Sequence, residues 1–342
     1  MRQGFGKRNR DNLVAVLKSV VLGVIFLFLT VDIFAGSPLP VFHQLRKGVN
    51  AIEIQQALDA LPEAGGVVVL PQGIVTLSRP IVINRSHQTL RGSGTATVLR
   101  LADNANCPVI IVGEPVNQPA YTVADIHIDS LFIDGNRYNQ QRELWQEHGE
   151  GSEISNNGIT VQRVTDSTIE NVVTARCRSG GLVTTLGVER LVVRGMEAFD
   201  NEFDGLACYA TTQSQFNNLN LHDNPGAGIS LDLNFNGNTI SNACLSSNDL
   251  GIFMRNCRGN QFLNVSINKS KNHGVFMAQA ETLKFTACIN NSFTNIQATN
   301  CGGAAFRVND ATCIDNTITS AKFTENLHGG LSLAHPEMVV LR

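Results

Sequence analysis

The most regular feature of this chain is an alternation of apolar and polar residues that restarts after a repeating glycine. Six glycines between Gly158 and Gly274 are spaced 23, 24, 23, 23 and 23 residues apart, and the first and third residues after each are mostly apolar. Alternation with a period of two predicts β-strands. A fixed repeat in the twenties predicts a solenoid, because one coil buries its apolar face only by stacking on its neighbours.

A second short strand follows about ten residues after most of these glycines. It starts from a small polar residue in six places: Ser167, Ser214, Asn238, Asn260, Asn291 and Asn316. Each coil therefore holds at least two strands, and the Asn, Asp, Ser and Gly turns between them leave no room for a helix of about ten residues. This pattern excludes the helix-containing classes of repeat protein.

The segment before the repeats has its own order of elements. An amphipathic stretch at 54–61 is followed by a Gly-Gly turn, an apolar strand at 67–70 and a Pro-x-Gly turn at 71–73. With the glycine repeats, this order resembles the right-handed parallel β-helix of the pectin-lyase-like superfamily, over most of the chain after about residue 49. The resemblance implies an all-β solenoid of about 23-residue coils with an N-terminal amphipathic helix cap. One such scaffold carries many chemistries.

We predict one elongated domain behind a targeting segment. Basic residues before an apolar run at 19–31 indicate that residues 1–36 are a cleaved signal peptide or a retained N-terminal anchor, with 13–35 as the membrane tether. Residues 37–48 follow as a linker, 49–118 as the N-terminal cap and first coils, and 119–342 as the β-helix repeats. We therefore expect a secreted, periplasmic or membrane-anchored protein facing outside the cytoplasm.

Charge and cysteine content narrow the range of partners. The 26 Lys and Arg residues against 29 Asp and Glu residues provide no basic field for nucleic acid, which is therefore not an expected partner. The eight cysteines show no CxxC pairs and no histidine at metal-site spacing, so we expect core packing rather than a zinc site or disulfide framework. We expect no cofactor: calcium is common among relatives of this fold, but the aspartates here form no recognisable loop of oxygen ligands.

Equivalent positions of successive coils stack in columns roughly 4.8 Å apart. The fourth residue after each glycine is predicted to face outward, in a column that reads Gln162, Thr185, Tyr209, Asp232, Arg255 and Ala278. Tyr209, Asp232 and Arg255, called the triplet below, are thus predicted to lie on three adjacent coils. We interpret them as the catalytic residues.

The triplet suits abstraction of the C5 proton of a uronate, the step shared by polysaccharide lyases and C5-epimerases. Arg255 is placed to clamp the carboxylate, Tyr209 to act as base or acid, and Asp232 to hold or tune either group. The alternative is a solvated surface ladder in which Asp232 and Arg255 simply pair, which contributes little at an exposed site.

Two insertions interrupt the regular coils, at 136–157 and around 278–290. One enters and the other leaves the glycine strand, so both are expected to rise beside the triplet and form a groove. The first carries Trp145, predicted to stack on a sugar ring, and follows Asp134, which we interpret as a turn residue. A neutral insertion in a tolerant solenoid is the alternative.

Four further residues are predicted to bind substrate beside the triplet: Asp204, His222, Asp249 and His273. Acidic residues across a bound sugar also suit inverting glycoside hydrolysis. The competing interpretations are Asx-turn aspartates and solvated histidines. The chain lacks the Asp-Pro-His-Asp signature of mannuronan epimerases and the Arg-x-Pro-x-x-Arg signature of pectate lyases.

The sequence therefore favours a polysaccharide-active protein, with lyase or C5-epimerase chemistry on an acidic polysaccharide. An inverting hydrolase and a non-catalytic glycan-binding or surface scaffold protein remain alternatives. After the repeat at Gly330, the remaining residues predict no amphipathic helix to cap the last coil. Because open strand edges pair with other strands, we also expect self-association through the C-terminal end.

Overall fold

The structure is a computed structural model that describes residues 41–144, 154–278, 287–335 and 338–341. Val41–Arg342 form one compact unit. The predicted targeting segment 1–36 lies outside the described residues, as does Trp145. Among the described residues, no helix is long and apolar enough to span a membrane.

The strands of the described residues form three parallel sheets and are numbered β1 to β30 along the chain. Sheet A has fourteen strands: β1 (Val41–Gln44), β2 (Gly66–Val69), β3 (Gly73–Leu77), β5 (Gln88–Leu101), β8 (His127–Asp134), β11 (Thr168–Ala175), β14 (Val192–Phe199), β17 (Gln215–His222), β20 (Thr239–Ser246), β23 (Gln261–Asn268), β25 (Ser292–Thr299), β27 (Asn316–Thr319), β28 (Lys322–Thr324) and β30 (Val339–Leu341). Sheet B has ten: β4 (Ile81–Ile83), β6 (Ile110–Val112), β9 (Ile159–Gln162), β12 (Leu182–Thr185), β15 (Leu206–Tyr209), β18 (Ala227–Asp232), β21 (Leu250–Met254), β24 (Val275–Met277), β26 (Phe306–Val308) and β29 (Leu331–Leu333). Sheet C has six: β7 (Val123–Ala124), β10 (Val164–Thr165), β13 (Val188–Glu189), β16 (Thr211–Thr212), β19 (Phe235–Asn236) and β22 (Cys257–Arg258).

Each regular coil runs through sheet B, then sheet C, then sheet A. Strands β9, β10 and β11 form one coil, and β12, β13 and β14 pair with them in the next. The solenoid has about 12 turns of about 24 residues, which confirms the predicted parallel β-helix. Sheet C is a third strand per coil that sequence reasoning missed, because two residues are too few to show a period of two.

Alternation correctly predicts which side chains enter the core. The first and third residues after the repeat glycines are buried, as Ile229 and Leu231 in β18 illustrate. In sheet A, Phe262 and Phe293 occupy the same inward column, and their rings stack with centroids 4.5 Å apart. This continuous apolar interior is what stacking of the coils buries.

The small polar residues that begin the second register form an internal asparagine ladder. Its members are buried on successive coils: Asn238, Asn260, Asn291 and Asn316. Asn260 donates its backbone N–H to the Asn291 side-chain oxygen at 3.1 Å, and its Nδ2 donates to the carbonyl of Phe235 at 2.9 Å. The ladder therefore satisfies backbone groups at the corner between sheets C and A, where no strand pairing is available.

One helix precedes the coils. Helix α1 (Ala51–Asp59) begins with a capping box, in which the Asn50 side chain and Glu53 satisfy backbone N–H groups reciprocally. Its buried residues join the core of the first coils: Ala51, Ile54 and Leu58. Strand β1 lies within the segment 37–48 that the sequence suggests is a linker. A 3₁₀ helix (Arg137–Asn139) begins the first insertion.

All eight cysteines are free thiols. Six are buried, in agreement with core packing: Cys177, Cys208, Cys257, Cys288, Cys301 and Cys313. Cys244 is exposed, because it faces outward from the middle of β20.

Candidate functional site

The triplet lies at the ends of three neighbouring strands of sheet B. Tyr209 and Asp232 are direct register partners in β15 and β18. Arg255 follows Met254, which pairs with Leu231, and its backbone N–H donates to the Leu231 carbonyl at 2.9 Å. The three residues therefore occupy consecutive coils, as the glycine period predicts.

The column that contains the triplet is less accessible than the sequence predicts. Its side chains face away from the core, yet Gln162, Thr185 and Asp232 are buried, with Asp232 only 2% exposed. At the N-terminal end of the column, the Gln162 amide donates to the Val116 carbonyl at 2.9 Å, so the connection between β6 and β7 reaches over it. In the alternative interpretation of the column, a solvated ladder, the pairing of Asp232 with Arg255 is present but the solvation is not, because alternation gives the direction of a side chain and not what packs over it.

Asp232 and Arg255 form a buried ion pair. Arg255 Nε lies 2.6 Å from Asp232 Oδ2 and Arg255 Nη2 lies 2.5 Å from the same oxygen. The side chains are 12% and 3% exposed for Arg255 and Asp232. Asp232 Oδ1 accepts the Leu233 N–H at 2.7 Å, and the guanidinium lies 5.8 Å from the centroid of the Phe253 ring. The carboxylate and the ring thus fix the cation at the outer face of sheet B.

Asp204, Asp249 and His273 lie at the opposite edge of sheet B. Asp204 and Asp249 precede the strands whose far ends lead to Tyr209 and Arg255, and His273 precedes β24 on the coil after Arg255. Asp204 and Tyr209 are five positions apart along the strand, roughly 16 Å. Asp204 Oδ1 accepts the Ala227 N–H at 2.6 Å, and Asp249 Oδ1 accepts from the Asn272 amide at 2.8 Å. The structure does not bring these residues against the triplet. Each aspartate accepts a hydrogen bond from a residue 23 positions further along the chain, so these bonds link the turns of successive coils and are not the local hydrogen bond of an Asx-turn.

His273 is held at the same edge. Its Nδ1 accepts the Ala304 N–H at 2.9 Å, and its ring lies 5.4 Å from the Phe276 ring. Burial lowers the pKa of His273, and the positive charge of Arg307 lowers it further. This neutral imidazole is therefore a structural acceptor in the turn.

His222 belongs to a different surface from the triplet. It is the last residue of β17 in sheet A, and its ring stacks on Phe199 with centroids 5.2 Å apart. Its Nδ1 lies 2.7 Å from Asp223 and its Nε2 lies 3.1 Å from Glu197. Burial lowers the pKa of His222, but hydrogen bonds to the two carboxylates outweigh burial and raise it overall.

A charged cluster at the turns from sheet A to sheet B was missed from the sequence. Arg137 donates to Asp200 at 2.9 Å, and the Tyr138 hydroxyl lies 3.1 Å from the same carboxylate oxygen. Asp134, which we expected to be a simple turn residue, is buried and forms a salt bridge with Arg176 at 2.9 Å. These partners lie one or two coils apart and 42 to 63 residues apart in the chain, so no local pattern reveals them.

The parts of the insertions that would complete the predicted groove lie outside the described residues, at 145–153 and 279–286. Trp145, the predicted sugar-stacking residue, is among them. Within the described ranges, no group of three or more His, Cys, Asp or Glu side chains is arranged to hold a metal ion.

Comparison with known proteins matches residues 122–264 to the family described as "Right handed beta helix region". The fold is a right-handed parallel β-helix. No curated protein sequence matches the chain.

Several solved structures resemble this one. The A-module of mannuronan C-5 epimerase AlgE4 from Azotobacter vinelandii is 16% identical, with a TM-score of 0.55 over 85% of this chain and 95% of that one. Polygalacturonase from Erwinia carotovora ssp. carotovora is 10% identical, with a TM-score of 0.61 over 90% and 97%. The enzymatically active domain of tailspike protein 2 from bacteriophage CBA120 is 13% identical, with a TM-score of 0.64 over 86% of this chain and 46% of that one. At these identities the likeness shows the fold alone.

Proposed function

We propose that this protein acts on an acidic polysaccharide, as a lyase or C5-epimerase, at the outer face of sheet B. The observation that carries the proposal is the buried Arg255–Asp232 pair on the two coils that follow Tyr209. A cation desolvated and oriented in advance binds a carboxylate more strongly than a cation in water. The names of the similar structures support a polysaccharide as the ligand, since they include a mannuronan C-5 epimerase and a polygalacturonase.

The three residues take separate roles in this reaction. Arg255 neutralises the uronate carboxylate, which makes the C5–H bond easier to ionise. Asp232 is a positioning residue: its Oδ2 faces Arg255 and its Oδ1 accepts the Leu233 N–H, so it holds the guanidinium rather than taking a proton. Tyr209 is the group we assign to proton transfer. Tyr209 and Arg255 are two coils apart, roughly 10 Å between Cα atoms, which leaves room for a sugar ring between them.

The proton balance distinguishes the two reactions. Tyr209 as its phenolate takes the C5 proton and becomes the phenol, and the electron pair of that C–H bond enters the sugar. In a lyase, the pair forms the C4–C5 double bond while the C4–O bond breaks, and the leaving oxygen takes the proton from the Tyr209 hydroxyl, which restores the phenolate. In an epimerase, a water molecule gives C5 a proton on the opposite face, and the hydroxide that remains takes the proton from Tyr209. Both reactions need the same cation and the same first proton transfer, so the triplet suits either.

Inverting hydrolysis is less well supported by the geometry. It requires two carboxyl groups about 6.5–9.5 Å apart on opposite sides of the scissile bond. Asp204 and Asp249 lie across the width of sheet B from Asp232, and both accept hydrogen bonds that hold turns. A non-catalytic glycan-binding role would use the same surface, and only an activity assay distinguishes it from catalysis.

We further propose that the protein works outside the cytoplasm, where such polysaccharides occur.

The experiment is an activity panel with polymannuronate, polyguluronate and polygalacturonate. Ultraviolet absorbance reports unsaturated ends from a lyase, new reducing ends without absorbance report a hydrolase, and deuterium incorporation at C5 in heavy water reports an epimerase. We expect the first or third signal. Binding without any of the three would support the non-catalytic alternative.

The matched variants are Arg255→Ala and Arg194→Ala. Arg194 also pairs with a carboxylate on the neighbouring coil, Glu170, but on the outer side of sheet A. Removing Arg255 is expected to lower kcat about 10²–10³-fold, as for loss of a preorganised electrostatic group, and removing Arg194 is expected to leave kcat unchanged. Full activity of Arg255→Ala would remove the proposed site.

A further inference from the structure

Tyr138 presents the most exposed aromatic ring among the described residues, at 71% of its surface. It lies in the 3₁₀ helix at the root of the first insertion, on the turns that lead from sheet A into sheet B. A single exposed aromatic ring is ordinary on a protein surface, so the orientation and surroundings of this ring, and not its exposure alone, carry the inference.

The ring is held in one orientation although it is exposed. Its hydroxyl lies 3.1 and 3.3 Å from the two carboxylate oxygens of Asp200, and Arg137 Nη2 donates to the same hydroxyl at 3.0 Å. The Arg137 guanidinium also lies 4.8 Å from the ring centroid, so it covers one face. The Arg137 side chain is largely buried. A fixed ring with one covered face and an otherwise open surface is preorganised for a flat ligand.

The 3₁₀ helix that carries Tyr138 is also held in place by hydrogen bonds. The Arg137 N–H donates to the Arg176 carbonyl of the next coil at 2.8 Å, and the Asn104 N–H donates to the Asn139 carbonyl at 2.9 Å. The helix is therefore tied to the coils on both sides of it. Little conformational entropy remains to be lost at this position when a ligand binds.

The surroundings select the kind of ligand. Tyr138 is a single ring among charged groups, with Arg137, Asp200 and Glu202 in one network, and not part of an apolar patch of the kind that binds proteins. A pyranose ring matches this environment, because it has a C–H face that packs on an aromatic ring and hydroxyls that hydrogen-bond to charged side chains.

We propose that Tyr138 is a sugar-stacking residue that extends the binding site of the triplet along the polysaccharide. The inference rests on the proposed polysaccharide ligand, and it does not depend on which reaction follows. Tyr138 contacts the turn that leads into β15, whereas Tyr209 ends that strand. A polysaccharide that reaches from Tyr138 to Tyr209 must span the length of β15. Only a ligand of several sugar units therefore contacts both residues.

The test compares equilibrium binding of short and long uronate chains. Trimers and decamers of mannuronate and of galacturonate are titrated into the wild type, Tyr138→Ala, Tyr138→Phe and Tyr121→Ala by calorimetry. Tyr138→Ala is expected to weaken decamer binding about five- to tenfold and trimer binding little, because the ring lies away from the reacting centre. Tyr138→Phe keeps the ring and should lose less. Tyr121, a partly exposed tyrosine in the first coils, is the matched control and should have no effect.

Failure of this inference is distinguishable from failure of the proposed reaction. Tyr138→Ala should raise KM for decamers with kcat unchanged, because stacking binds ground state and transition state alike, whereas Arg255→Ala should lower kcat. Length-dependent binding loss in a protein that makes no product would keep the stacking role and remove the chemistry. Equal decamer affinity in the wild type and Tyr138→Ala, or no uronate binding by the wild type, would overturn the stacking role. Thermal unfolding of each variant confirms that it folds.

Discussion

The outer faces of sheets A and B each carry an ion pair between residues on neighbouring coils, but the two pairs differ in their exposure to solvent. Sheet A presents Arg194 and Glu170, paired across neighbouring coils at 2.9 Å, with side chains 57% and 32% exposed. Sheet B presents Arg255 and Asp232, also paired across neighbouring coils, with side chains 12% and 3% exposed. The two ion pairs have similar residue types and similar spacing in the sequence, but only the pair on sheet B is buried. A charged pair on a β-helix is thus a candidate site only where the surrounding chain removes it from water.

The physical consequence is a large difference in electrostatic strength. In water, solvent and salt screen a charge pair, and an exposed pair contributes about 0–1 kcal/mol. In a buried site each charge has lost its hydration and depends on its partner. The same loss of hydration lets a fixed guanidinium attract an incoming carboxylate, so the feature that makes the pair costly to break also makes it useful.

The largest expected effect is on turnover and comes from Tyr209, because only the outer face of sheet B carries a group that we assign to proton transfer. Tyr209→Phe removes the hydroxyl that we assign to proton transfer and keeps the ring. We expect turnover to fall about 10²–10⁴-fold, the range for loss of a general acid or base. The measurement is kcat on the uronate that the activity panel identifies. Tyr121→Phe is the control, and undiminished turnover by Tyr209→Phe would leave sheet B without a catalytic base.

The next effect is on stability and tests the two ion pairs directly. Asp232→Ala leaves the buried Arg255 without its carboxylate and is expected to lower the free energy of unfolding by about 3–5 kcal/mol. Glu170→Ala removes the equivalent partner from exposed Arg194 and should lower it by less than about 1 kcal/mol. Urea denaturation at neutral pH measures both. Equal losses would mean that burial does not distinguish the faces.

A third prediction compares two asparagine ladders, one inside and one outside. Asn260→Ala leaves the Phe235 carbonyl and the Asn238 N–H without their partners, and is expected to cost about 3 kcal/mol. Asn264 belongs to an exposed ladder on sheet A, where its Nδ2 donates to Asn242 at 3.1 Å. Its φ is 55°, which glycine adopts without strain, so Asn264→Gly should cost below about 1 kcal/mol. Denaturation midpoints that shift equally for both variants would contradict this ranking.

The smallest effect is a difference in titration between two histidines. The pKa of His222 on sheet A is raised above 6.5, and that of His273 at the edge of sheet B is lowered. The stabilisation from His222 is therefore complete below the unfolded pKa and lost as pH rises through its folded value. His273 has the opposite sign: as pH falls below 6.5 the unfolded state takes the proton first, and stability declines until the folded pKa is passed.

Ring-proton chemical shifts followed by NMR from pH 4 to 9 check this order. His222→Gln and His273→Gln assign the two signals. We expect the His222 signal to titrate at the higher pH. Coincident titrations would show that the carboxylates beside His222 and the burial of His273 have no net effect.

Much of the fold was predictable from local pattern. The glycine period predicted the coils, the inward column and the sequence of Tyr209, Asp232 and Arg255 on neighbouring strands, because stacking in register turns equal spacing into adjacency. The start of each second strand was predicted from its Ser or Asn, but the buried hydrogen-bonded ladder that these asparagines form was not. Sheet C was not predicted, since strands of two residues carry no readable period.

The candidate site was predictable only in part. Asp204, Asp249 and His273 are close to the triplet in sequence, yet the length of a strand of sheet B separates them from it in space. His222 was expected beside the triplet but lies at the end of β17, paired with Glu197 and Asp223. Tyr138 carried no signal that distinguished it from other polar residues of the insertion. Its exposure and its fixed ring depend on Asp200, which is 62 residues away.

The sequence by itself determined the coil length, which side chains enter the core and which residues share a column. These properties follow from the fixed geometry of a strand, in which successive side chains alternate and successive coils repeat at one spacing. Only the tertiary structure decided which outward columns lose their water, which charges meet across coils and which aromatic ring stays open. Those outcomes depend on contacts between residues far apart in the chain, and no local period encodes them.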